Sequence, residues 1–230
     1  MTFSLSNYGW ECADAPSWNP TCSGVALLIS QSGAVNSSTF IDSAKNHTIT
    51  SSAAVWTNEV TLFGKPVILR TNGFLKITDV ADLNIEAGQP FCIEMYYRNK
   101  TNSSANVLFN RGLDNGSDSN SSVFSSWSHS NGNWYGGNAS VVSGDCPLAV
   151  DSSWHHLAIT RDYLYRQRRF KDGVLVFGPS AASSQAASSS QPLLIGSTTV
   201  GSNYFAEIRF IIGSPVYTAN FTPPSTPWIP

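Results

Sequence analysis

The stretch Trp154-His155-His156-Leu157-Ala158-Ile159-Thr160-Arg161, continued by Leu164 to Phe170 and turned by Lys171-Asp172-Gly173 into Val174 to Phe177, decides the fold. Apolar and polar residues alternate, which is the two-residue period of a strand. Asp-Gly supplies the positive backbone angles that a tight hairpin turn needs. The segment therefore reads as antiparallel hairpin. Neighbouring strand positions point to opposite faces, so His155 and His156 cannot converge on one ion from a regular strand. One imidazole is expected on the wet face and the other on the core side. Trp154 reads as a hydrophobic anchor.

Upstream, the same period recurs in His47 to Thr50, Val60 to Phe63, Val67 to Arg70, Phe74 to Ile77, Phe91 to Arg98 and Val107 to Asn110. In the Phe91 run, Phe91, Ile93, Met95 and Tyr97 fall on one face and Cys92, Glu94, Tyr96 and Arg98 on the other. The first set is expected to be core and the second wetter. Val25 to Ile29 is a short apolar run of strand length between Ser-Gly turns. Downstream, Pro192 to Gly196 and Phe205 to Ile212 complete the strands. No segment has a capped 3.6-residue apolar period, so little helix is expected. Short strands punctuated by turn residues imply an all-β antiparallel two-sheet jelly-roll sandwich.

Residues 1–24 hold Trp10, Pro16, Trp18 and Pro20 without alternation and read as an irregular N-terminal arm. Residues 25–230 then form one domain, with Pro215 through Pro230 as an extended Pro-rich tail. Residues 181–190 are a Ser/Ala patch of loop character. The chain of 230 residues carries only 12% charged side chains and a formal net charge of -2, while 41% are hydrophobic. Phosphate binding needs clustered Lys and Arg, so nucleic acid is not an expected partner. The one basic run, Arg166, Gln167, Arg168, Arg169 and Lys171, reads as a solvated hairpin. No stretch approaches the apolar length of a membrane span, and Met1 to Asn7 lacks the pattern of an export signal. Asn-x-Ser/Thr triplets at Asn36, Asn46, Asn99, Asn102, Asn115, Asn120, Asn138 and Asn220 follow from an Asn/Ser-rich composition. Cys12, Cys22, Cys92 and Cys146 match no zinc spacing. Cys12 and Cys22 could close a small loop if oxidised.

Several of these runs resemble a known family. Thr39-Phe40-Ile41-Asp42-Ser43 through Asn46-His47-Thr48, the Phe91–Tyr97 strand, the Trp154–Arg161 hairpin with Lys171-Asp172-Gly173, and Phe205-Ala206-Glu207-Ile208-Arg209 follow one another in the order seen in laminin-G-like domains. The chain is thereby identified as a member of the concanavalin A-like lectin superfamily. Val216-Tyr217-Thr218-Ala219-Asn220-Phe221-Thr222-Pro223-Pro224, followed by Thr226-Pro227-Trp228, is similar to the closing words of the versions found in bacteriophage structural proteins.

The resemblance implies a virion component assembled in the host cytoplasm, either a capsid decoration (cement) protein or a surface-exposed fibre or adhesin subunit. Other virion proteins and further copies of the chain are the implied partners. The arm and the tail would then dock on neighbours. The alternative it implies is a lectin module of a tail adhesin that binds a host surface glycan. It also offers a Ca²⁺ site whose remaining carboxylates here are Asp42 and Glu207. Two side chains are few for a hard cation, and Asp42 equally fits a turn cap.

No enzyme is expected, because glycoside cleavage uses paired carboxyl groups and Glu94 is the only acid in its strand. Neutral sugars are held by aromatic faces and amide or hydroxyl donors. Trp127, Trp134 and Tyr135, set among Ser, Asn and Gly, are the candidate sugar contacts; core or oligomer contacts would also suit them.

Overall fold

A computed structural model describes residues 24–78, 81–86, 88–101, 106–111, 124–128, 134–138, 151–180, 191–196 and 201–228. The expected arm, the Ser/Ala patch and most of residues 101–146 lie outside these. The strands are β1 (Val25–Ile29), β2 (Ile49–Leu62), β3 (Lys65–Ile77), β4 (Phe91–Asn99), β5 (Asn106–Arg111), β6 (Phe124–Ser128), β7 (Trp134–Asn138), β8 (His155–Arg161), β9 (Gln167–Lys171), β10 (Val174–Ser180), β11 (Leu193–Gly196) and β12 (Ser202–Ile212). Among the described residues the one helical element is a 3-10 turn at Ala81–Leu83. The all-β antiparallel expectation is met.

Hydrogen bonding runs in the order β10-β9-β8-β4-β12-β3-β11-β5-β6-β7, with β1 on β12 and β2 on β3. The path folds into two layers because the β2–β3 hairpin turns a corner. β3 pairs with β12 at Ile68–Thr71 and with β11 at Phe74–Ile77. Between these halves sit Asn72 at φ 49 and, across the hairpin, Ala53 at φ 48, where the register shifts. Gly73 is required there, since a Cβ would lie 1.8 Å from the Ser52 carbonyl oxygen. Bulges of this kind let one strand serve two sheets. They also join what alternation alone reads as four short strands into two long ones.

The layers close over Phe91, Ile93, Met95 and Tyr97 of β4, Leu157 and Ile159 of β8, Phe205, Ile208, Phe210 and Ile212 of β12, and Leu193 and Ile195 of β11. Phe109 of β5 meets Phe210 of β12 edge-on, with centroids 5.8 Å apart. Burying each such aliphatic or aromatic side chain is worth about 1.5–3 kcal/mol.

The outer face of the β9-β8-β4-β12 sheet departs from expectation. Cys92, Glu94 and Tyr96 are as hidden as the core side of β4. Their cover is the segment Ser214–Trp228, which crosses the sheet as a strap. Phe221 N donates to Gly173 O at 2.9 Å, Thr160 Oγ1 to Tyr217 O at 2.9 Å, and Leu175 N to Asn220 Oδ1 at 2.8 Å. Tyr217 and Phe221 stack at 3.6 Å. The Asp-Gly turn does double duty, because at Gly173 (φ +77) a Cβ would lie 1.9 Å from Phe221 O. The tail expected to dock on neighbours is thus spent on its own domain, where its aromatic rings bury more surface than an extended tail in water could.

The basic run is not a solvated hairpin either. Arg168 and Arg169 are buried, the first bonded to Asp162 Oδ2 at 2.7 Å and the second 4.6 Å over the Phe177 ring. Arg166 is the exposed arginine of the run.

Candidate functional site

Glu94 sits at the centre of the strapped face. In the antiparallel registers Arg209 of β12 is its direct partner, and His156 of β8 stands opposite Tyr96, two positions along β4. Directly opposed and diagonal cross-strand neighbours can touch, and these do. Arg209 Nε donates to Glu94 Oε1 at 2.8 Å, and Arg209 Nη2 makes a second, short contact to the same oxygen. His156 Nε2 lies 3.0 Å from Oε2, and the Tyr217 hydroxyl of the strap donates to Oε2 at 2.9 Å.

Burial pushes the Glu94 carboxyl up, yet the His156 hydrogen bond and the Arg209 charge outweigh it and hold the pKa below its ordinary value. Burial, then the charge of Glu94, pushes the Tyr217 and Tyr96 hydroxyls up, so both remain protonated donors. The result, above the acid range, is a carboxylate whose lone pairs are filled. General acids need a raised pKa and nucleophiles a free lone pair; Glu94 has neither.

The strap completes the enclosure. The His156 ring has edge contacts with Tyr96, Phe221, Tyr217 and Trp228 at centroid distances of 4.9, 5.6, 6.3 and 6.4 Å. The Arg209 guanidinium lies 4.2 Å over the Trp228 ring, a cation–π contact. Tyr96 donates its hydroxyl hydrogen to Pro224 O.

The two residues expected at a Ca²⁺ are placed separately in the bonding pattern. Asp42 caps the loop after β1: Oδ1 accepts from Leu28 N and Ala44 N at 2.8 and 2.9 Å, and Oδ2 from Lys45 N and His47 N at 3.1 and 3.2 Å. Glu207 occupies a bulge of β12 at φ 50 and accepts from Gln31 N and Trp228 N at 3.0 and 2.7 Å, fastening the strap's end. Burial raises its pKa. Both carboxylates therefore face N–H donors, the inverse of the oxygen cage a hard cation takes. Among the described residues no group of three or more His, Cys, Asp or Glu could hold a metal.

Trp127, Trp134 and Tyr135 fall on the β6–β7 ribbon at the end of the strand order. Trp127 is directly opposite Tyr135, and Ser128 opposite Trp134. The backbone register thus makes cross-strand partners of two of the three, Trp127 and Tyr135, and not of Trp134.

His155 and His156 do occupy opposite faces, as alternation requires, but both are buried. His155 lies between Asp172 Oδ2 and Asp151 Oδ1 at 2.7 and 3.0 Å. Trp154 is an anchor, with its Nε1 donating to Thr61 O at 3.0 Å. Sequence reasoning missed the Glu94 network because it weighed each strand alone. The signal was present across them: Glu94, His156, Arg209 and Tyr217 sit one each in four of the five family-like words.

An antiparallel sandwich of this layering defines a lectin-type domain. The chain belongs to the concanavalin A-like lectin/glucanases superfamily, whose laminin-G-type model matches residues 69–207. No curated protein sequence matches it. Among solved structures it is similar to the Trypanosoma rangeli sialidase, at TM-score 0.58 and 13% identity over 82% of this chain and 30% of that one. It is also similar to the binding domain of paraclostridial mosquitocidal protein 1, at TM-score 0.54 and 13% identity over 82% of this chain and 48% of the other. A third is botulinum neurotoxin type C, whose cell entry depends on interaction with two ganglioside molecules, at TM-score 0.52 and 11% identity over 82% and 47%. The chain spans less than half of each, so these likenesses concern the fold.

Proposed function

We propose that the protein is a non-catalytic surface module of a bacteriophage virion, either a capsid decoration subunit or a fibre or adhesin subunit. Its partners are other virion proteins and further copies of itself. The observation that carries this reading is the strap. Among the described residues, the cluster richest in catalytic residue types, Glu94 with His156, Arg209, Tyr96 and Tyr217, has its carboxylate satisfied and is roofed over by Ser214–Trp228. That roof is also the segment whose wording resembles phage structural proteins. A domain that spends its polar cluster on fastening the strap across its own sheet is built for persistence rather than turnover. Quantitative mass spectrometry of purified particles tests this. Hundreds of copies per particle support decoration and a few to a few dozen support a tail adhesin; absence from particles overturns the reading.

A second reading is favoured by the β6–β7 ribbon: a glycan-binding module that holds a neutral host sugar against Trp127 and Tyr135. Aromatic positions at a sheet end, interleaved with serine and glycine, suit sugar rings. The ganglioside interaction of botulinum neurotoxin type C gives the same fold a precedent. Glycan-array binding by the intact chain, lost on Trp127→Ala, supports it; a blank array, or binding that survives Trp127→Ala and Tyr135→Ala together, removes it.

A further inference from the structure

The loop after β1 delivers His47 into a slot between two carboxylates. Asn46 takes the left-handed conformation, at φ 59, and the ring that follows it has Nδ1 2.6 Å from Asp42 Oδ2 and Nε2 2.7 Å from Asp82 Oδ1. The His47 and Asp42 side chains are hidden, at 5% and 0% exposure, while Asp82 is 47% exposed. Asp42 is already fixed by four backbone N–H groups. Asp82 belongs to the 3-10 turn Ala81–Leu83, which His47 ties to the loop. The turn in turn holds β5: Arg111 donates through Nη1 to Leu83 O and through Nη2 to Asn84 Oδ1 at 2.6 Å. Arg111 is also where β5 pairs with Phe124, the first residue of β6.

An imidazole with a carboxylate on each nitrogen needs two N–H groups, and only the protonated ring has them. Loss of one proton leaves one carboxylate facing a ring lone pair. Asp82, which water can solvate, is the partner released. We propose that His47 is a proton-operated latch that, when charged, ties the 3-10 turn to the β1–β2 loop and steadies the Arg111 end of β5, and when neutral lets the turn and the anchor of the β6–β7 ribbon loosen.

Among the described residues, the charged groups around the ring are Asp42 from its own loop, Asp82 from the turn and, beyond Asp82, Arg111 from β5. Burial opposes charge on His47, but the hydrogen bonds to Asp82 and Asp42 outweigh it and raise the pKa above the ordinary 6.5. Burial lowers Arg111 to about 10, so it stays charged while His47 titrates. A raised pKa contributes stability that is full below the unfolded value and is lost as pH rises through the folded one. The latch therefore opens on the alkaline side. It operates whether or not the ribbon holds a sugar.

The test is an NMR titration of the His47 ring in the intact chain, run beside hydrogen exchange of the Leu83, Asn84 and Leu108–Arg111 amides corrected for intrinsic rates. The expected result is a midpoint above 6.5, with protection at those amides falling about tenfold along the same curve while β4 keeps its own. Asp82→Asn is expected to lower the midpoint, and His47→Gln to make that protection independent of pH. A midpoint at or below 6.5, or protection that ignores the titration in the wild-type chain, overturns the proposal.

Discussion

On its inner face β4 presents Phe91, Ile93, Met95 and Tyr97, and on its outer face Cys92, Glu94 and Tyr96; none of the seven is more than 6% exposed. Apart from the Tyr97 hydroxyl, which donates to Asn203 Oδ1 at 3.1 Å, and the Arg161 guanidinium 5.2 Å over the Phe91 ring, the inner four meet apolar side chains, whose attraction depends on area and tolerates small changes of shape. The outer three lie under the strap, and there the Glu94 oxygens and the Tyr96 hydroxyl each have a named partner in a fixed direction. Equal burial is thus reached by two kinds of physics. The inner face gives the sandwich its stability. The outer face specifies which segment covers the sheet, because Tyr217, Pro224 and Trp228 each answer one group beneath.

The contrast breaks hardest at Glu94. Glu94→Ala leaves Arg209 and His156 without their carboxylate in a sealed space, and removing one member of a buried charged cluster costs about 3–5 kcal/mol. Urea unfolding should show that loss, whereas a cost under about 1 kcal/mol would mean the strapped face is wet. Acid should act in the same direction. The Glu94 pKa is depressed, so its contribution is full above the ordinary 4.5 and disappears as pH falls through the folded value. Fluorescence of Trp228 is expected to report strap release in that acid range, below the range in which exposed glutamates titrate.

Tyr217→Phe keeps the stacked ring and removes only the hydroxyl donated to Glu94. A hydrogen bond to a charged group is worth about 1.5–3 kcal/mol, so this single oxygen should cost near the middle of that range, with the loss shrinking in acid as Glu94 protonates. On the inner face Ile93→Val removes a methylene from a buried side chain, and about 1 kcal/mol is expected at every pH. A pH-dependent Ile93→Val, or a pH-independent Tyr217→Phe, would erase the distinction between the faces.

Much of this was legible in the sequence. Alternation and the Asp172-Gly173 turn marked the β9–β10 hairpin, and the Phe91–Arg98 period sorted β4's side chains onto the correct faces. Alternation could not reveal that the outer face is covered. A polar residue under a roof and one facing water have the same period; the roof lies more than a hundred residues away at Tyr217–Trp228. The β2–β3 corner was hidden for a related reason, since Ala53 adopts positive φ under the demands of pairing, against its own preference, and Asn72, which tolerates that conformation, reads equally as an ordinary strand residue. Asp42 was legible as a turn cap, the role it fills. Glu207 was not, because its two backbone donors come from Gln31 and Trp228, at opposite ends of the chain. The three candidate sugar contacts read from the sequence as one set, whereas the register places Tyr135 opposite Trp127 and Trp134 opposite Ser128.

The most direct test of the strap is native-state hydrogen exchange at two amides, Phe221 N–H, bonded to Gly173 O, and Trp228 N–H, bonded to Glu207 Oε2. If Ser214–Trp228 is an integral roof of the domain, both exchange as slowly as the amides of β4, and opening them requires global unfolding. Exchange at the rate of an open chain, with β4 still protected, would contradict the account and return the outer face of the sheet to solvent.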